Sequence, residues 1–171
     1  SQTTYSALKW IIESGCKDDG LNNQFDHILE LAAVLMVKQY RSRAFLGTLA
    51  EMIFKRYRKK LLIYDLVWAF FEARAPQSLV LIAGGLLSSH SRDVELSCKL
   101  LRFIPCIGAA DEDRPEQYMD VVNWIEENRP FLYYTGESLQ QTGRPLFYDI
   151  NRESKYLCKA VSVNTGKILF P

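Results

Sequence analysis

The sequence predicts a mainly α-helical protein: an irregular stack or α-solenoid-like bundle of about seven helices, closed by a short C-terminal β-hairpin. Three observations carry this. Residues 22–104 show a nearly unbroken helical apolar pattern. Proline and glycine recur where such segments end, at Gly15, Pro76, Pro105 and Pro130. From residue 131 onward the helical period is lost and alternating or aromatic stretches replace it.

The elements follow in order. Tyr5–Ser14 predicts a first helix, with Ala7, Leu8, Ile11 and Ile12 on one face, Thr3 or Thr4 as its cap and Gly15 as its end. Lys17–Gly20 reads as a loop. Asn22 or Asn23 caps a second helix to about Tyr40, striped by Phe25, Ile28, Leu29, Ala32, Ala33, Leu35 and Met36. Ser42 is the expected cap of a third, carrying Phe45, Leu46, Leu49, Met52, Ile53 and Tyr57. Leu61–Ala73 is apolar around nearly its whole circumference, as a buried helix is. It is the expected centre of the fold, with Leu66, Trp68 and Phe70 deep inside. Pro76 fits the first turn of the next helix, and Gly84-Gly85 predict a kink or a close crossing. Ser91 starts a helix to Ile104, stopped by Pro105. Asp113-Arg114-Pro115-Glu116 combines an acidic cap, proline in the first turn and a glutamate three residues on. It predicts a helix to about Asn128. Residues 1–129 are thus expected to form a helical domain. Residues 130–171 are expected to lie on it as an aromatic-rich strap and a hairpin, with strands Tyr156–Val163 and Ile168–Phe170.

Composition bounds the function. The chain has 171 residues, 48% apolar and 24% charged, which suits a globular domain with a sizeable core. Its net charge is +1, with 21 basic against 20 acidic residues, so any cationic surface must be local. Cys16, Cys98, Cys106 and Cys158 include no Cys-x-x-Cys pair, and no Asn-x-Ser/Thr sequon occurs. Reduced thiols and a cytoplasmic location are expected. No apolar run is long enough for a membrane span, and no membrane partner is expected.

Ser91 to Leu101, Ser-Arg-Asp-Val-Glu-Leu-Ser-Cys-Lys-Leu-Leu, resembles the second half of a HEAT or armadillo-like helical repeat. The resemblance implies a scaffold with a concave binding face and no catalysis.

Two features are candidate sites. Lys55-Arg56-Tyr57-Arg58-Lys59-Lys60 is five-sixths basic. Lys55, Arg56, Arg58, Lys59 and Lys60 together read as a patch for nucleic acid or another anionic partner. The same run also reads as a solvated helix C-terminus whose cations offset the helix dipole. Tyr133, Tyr134, Arg144, Phe147 and Tyr148 read as an interaction surface, interleaved as they are with Gln140, Gln141 and Thr142. The plainer alternative makes these aromatics the anchors of the strap. Ile168, Leu169 and Phe170 are costly to leave in water, so the chain's own helices or a second copy are expected to cover them.

Catalytic signatures are lacking. His27 with Glu30 gives at most half a metal site. His90 beside Ser88, Ser89 and Ser91 lies outside any nucleophile elbow. Asp111-Glu112-Asp113 reads as an acidic lead into a helix, and Gly166-Lys167 lacks the rest of a phosphate loop. No cofactor, metal or catalytic residue is assigned. The expected role is a non-catalytic protein-interaction module, binding a protein partner or a second copy. A nucleic-acid or polyanion-binding protein using the run 55–60 is the alternative.

Overall fold

A computed structural model describes residues 1–17, 23–107 and 113–170. Among these the protein is mainly helical, with eight α-helices and one small two-stranded antiparallel sheet near the C-terminus. The residues group into two compact units, Ser1–Ala73 and Arg74–Pro171.

The first unit contains α1 (Gln2–Lys17), α2 (Asn23–Tyr40), α3 (Leu46–Arg58) and α4 (Tyr64–Glu72). Helix α1 runs longer than its apolar stripe predicts. Ser1 rather than Thr3 or Thr4 caps it, its Oγ accepting from the Thr4 N–H at 3.3 Å, and Gly15 lies inside the helix. Helix α1 packs on α2 and α3, and α4 packs on both α2 and α3. Ile12, Ala33, Met36, Leu49, Ile53, Leu66, Val67, Phe70 and Phe71 are all buried. Ser42 does not cap α3; its hydroxyl instead meets the Tyr5 hydroxyl at 3.1 Å. Trp68 departs from expectation. It is only half-buried, with Lys38 Nζ 5.3 Å from its ring centroid.

The second unit begins with a 3-10 turn (Pro76–Ser78) leading into α5 (Leu79–Ala83). At Gly84-Gly85 the helix tightens into a second 3-10 turn, Gly84–Leu87. A Cβ on Gly84 would meet nothing, so no close crossing explains that glycine. Helix α6 (Ser91–Leu100) stops before Ile104 and continues only as turns. Helix α7 (Arg114–Asn128) starts after Asp113 with Pro115 in its first turn, as expected, but the Asp113 side chain makes no capping hydrogen bond. A short 3-10 turn then leads into β1 (Leu132–Tyr134), which pairs antiparallel with β2 (Tyr148–Ile150), Tyr133 opposite Asp149.

The sheet therefore exists but not where alternation placed it. Arg152–Tyr156 forms α8, and of the expected hairpin there remain the Val161–Ile168 bridge and its flanking hydrogen bonds, from the Ser162 N–H to the Lys167 carbonyl at 2.9 Å and from the Leu169 N–H to the Ala160 carbonyl at 2.8 Å. The turn around 162–166 docks on β1 instead, through a Tyr134 N–H bond to the Val163 carbonyl at 2.8 Å.

Candidate interaction surface

The basic run splits by helical phase. Lys55 is half-buried, while Arg58, Lys59 and Lys60 are exposed at the end of α3. Arg56 is only 6% exposed and ion-pairs with Asp26 of α2. None of its guanidinium nitrogens makes an aligned hydrogen bond among the described residues, so the pairing is one of charge and proximity. Glu30, also buried, lies beside this pair. Burial, and then the Asp65 carboxylate, push its carboxyl above the usual range against the pull of Arg56 and His27. Arg56 is therefore removed from the anionic-partner patch. It faces inward because its phase on α3 turns it toward α2.

The aromatic set divides in the same way. Tyr134, Phe147 and Tyr148 are buried, so they do not form a surface. Ring centroids step from Tyr134 to Tyr148 at 6.0 Å, from Tyr148 to Phe103 at 5.8 Å and from Phe103 to Trp124 at 6.2 Å. The Arg74 guanidinium lies 5.0 Å from the Tyr134 ring and donates to Asn164 Oδ1 at 3.0 Å. This ladder links the sheet to the turn that follows α6 and to α7, passing from the buried Tyr134 and Tyr148 to the half-buried Phe103 and Trp124. Tyr133 is half-buried and its hydroxyl donates to Asp149 Oδ2 at 3.3 Å. Burial and then the Asp149 charge push its phenol up. Arg144 is exposed, and its carbonyl accepts from Arg102 Nη1 at 2.8 Å.

The open apolar surface lies one element further on. Tyr156 is 88% and Phe170 83% exposed, and Leu157 and Leu169 are about half exposed. Asn151 caps α8, its Oδ1 accepting from the Ser154 N–H at 3.0 Å. The chain then reverses at Cys158, whose φ is 52°. The Leu169 N–H donates to the Ala160 carbonyl at 2.8 Å, and Lys159 Nζ stands 5.8 Å from the Phe170 ring. The segments following α8 and preceding the C-terminus are thus joined, and each carries exposed apolar side chains. Arg152, Lys155, Lys159 and Lys167 are all exposed in this region, against the single acid Glu153. Lys155 Nζ also donates to Asn128 Oδ1 at 2.6 Å. Leu169 and Phe170 were expected to be covered; the described helices leave them open. Tyr156 stands in the sequence as the start of an expected strand, and nothing local marks it as the exposed aromatic.

No cluster of three or more His, Cys, Asp or Glu side chains suited to a metal occurs among the described residues. His27 lies 3.7 Å from Glu30 and is open to solvent. His90 is the exposed residue preceding α6, its N–H bound to Ser88 Oγ, which in turn donates to Asp93. Asp111 and Glu112 lie outside the described residues. Comparison with known proteins finds no matching family model, no similar curated protein and no similar solved structure.

Proposed function

We propose that the protein is a non-catalytic interaction module that docks a partner protein on Tyr156, Leu157, Leu169 and Phe170. The observation carrying this reading is the exposure of two large aromatic rings, Tyr156 at 88% and Phe170 at 83%, on segments joined by the Leu169–Ala160 hydrogen bond. Large rings left in water are the residue type that supplies most interface energy when buried. The surrounding cations favour a different, acidic partner over a second copy. Symmetric self-pairing would set Lys159 and Lys167 near their own equivalents, which costs free energy. The scaffold role implied by the helical-repeat resemblance is compatible with this reading. A cytoplasmic location is part of this proposal as well.

The test is photo-crosslinking in the source cell, with a photoreactive phenylalanine analogue at position 156. Position 10 serves as the control, since Trp10 is also well exposed at 67%. A discrete adduct is expected from position 156 only, and it should vanish with Leu157→Asp/Leu169→Asp. No adduct, or one that persists in that variant, would overturn the reading.

The polyanion reading retains Lys55, Arg58, Lys59 and Lys60 but loses Arg56. Its geometry is less favourable than the five-residue run implied.

A further inference from the structure

We propose that the turn joining α3 to α4 is a docking site for the surface of an anionic lipid bilayer. This inference stands apart from the partner patch, since it uses a different unit of the chain.

The turn is rigidly built. Lys60 adopts a left-handed φ of 60°. The Lys60 N–H donates to the Tyr57 carbonyl at 3.0 Å, and the Leu61 N–H to the Arg56 carbonyl at 3.0 Å. These bonds satisfy the last carbonyls of α3 and hold the turn in one shape. Ile63, 4% exposed, anchors its far side. Around that frame the chain presents two chemistries side by side. Arg58, Lys59 and Lys60 are exposed. Leu62 is 68% exposed, Tyr64 46% and Leu61 37%. Asp65 is the one acid within this stretch.

The cations alone would suit any polyanion. The leucines decide between the classes. A leucine beside a nucleic-acid backbone gains little, because that surface is charged and hydrated. At a bilayer it enters the acyl boundary, while a tyrosine ring sits at headgroup level and the cations meet lipid phosphates. The chain's near-neutral total charge gives no hint of this, because the attraction falls off within a Debye length and depends on local charge. Exposure of an apolar residue by itself is not the criterion. Leu31 is 60% exposed on α2, yet Glu30 and Ala32 are its neighbours. With three cations and two leucines, binding is expected to be weak and reversible, and to require anionic lipid.

The experiment is vesicle co-sedimentation of the whole chain. The vesicles are phosphatidylcholine with or without phosphatidylserine. Binding is expected only with phosphatidylserine, falling as salt rises. Lys59→Gln/Lys60→Gln should lower the partition coefficient by roughly fivefold per cation. Leu62→Gln should weaken binding at unchanged charge, and Leu62→Trp should show blue-shifted emission on mixing with the anionic vesicles. Circular dichroism melts identify any variant that is misfolded, in which case the tryptophan emission decides. No sedimentation of the parent chain, or equal binding to neutral vesicles, would overturn the proposal. So would heparin or RNA binding that Leu62→Gln leaves intact together with an unshifted tryptophan.

Discussion

The Arg56 guanidinium of α3 is ion-paired with the Asp26 carboxylate of α2, and both side chains are largely shielded from water. This ties α2 to α3 by a charge pair. Arg56→Ala should destabilise the protein by about 3–5 kcal/mol, because it strands Asp26 as an uncompensated charge. Arg56→Met/Asp26→Leu should recover most of that loss. Thermal unfolding checks both. An Arg56→Ala protein melting with the parent would show that the pair is open to solvent.

Glu30 gives the protein an inverted carboxylate dependence. Its folded pKa is raised above the ordinary 4.5, by burial first and then by Asp65 and Asp26, against Arg56 and His27. The folded state therefore holds this proton more tightly than the unfolded state. The resulting stability is fully present below the unfolded pKa and is lost as pH rises through the folded value. Glu30→Gln should stabilise at neutral pH, and the gain should shrink as pH is lowered toward 4.5. Urea unfolding at several pH values measures this. A variant less stable than the parent at neutral pH would mean that the Arg56 attraction outweighs burial.

Gly166 and Gly136 form an internal comparison. Both have positive φ, 70° and 82°. A Cβ on Gly136 would meet nothing, whereas on Gly166 it would lie 2.9 Å from Tyr133 Cγ. Gly136→Ala should cost about 1–2 kcal/mol of backbone strain. Gly166→Ala should cost more, and adding Tyr133→Ala should relieve only the ring clash. Equal melting shifts for the two alanine variants would show that the Tyr133 ring yields freely.

In α4, Phe70 rather than Trp68 is the deep aromatic. Phe70 is 1% exposed and packs edge-on to Phe71 at 5.3 Å. Phe70→Ala should cost about 3–5 kcal/mol, and the half-buried Trp68→Ala distinctly less. Denaturant titration of the two variants ranks them directly. The opposite order would place Trp68 in the core.

Helices α2 and α7 were legible because their signals are local. An apolar stripe announces Asn23–Tyr40, the expected cap at Asn22 or the Asn23 side chain lying outside what the structure describes, and an Asp-Arg-Pro-Glu start announces Arg114–Asn128. The mainly helical class follows from such signals. Tertiary structure decided what depends on a distant partner. Strands of three residues are too short to show a period, so β1 and β2 exist through their pairing with each other and the aromatic ladder behind them. Arg56 differs from Arg58 only in which way α3 turns it, and that direction matters because Asp26 waits on α2. Tyr148 and Tyr156 are the same residue type in the same aromatic-rich region. One is enclosed by Phe103 and Tyr134; the other stands in water at the last position of a short helix. Local sequence encodes propensity and pattern, but which faces become interior is settled only when remote segments meet and exclude water.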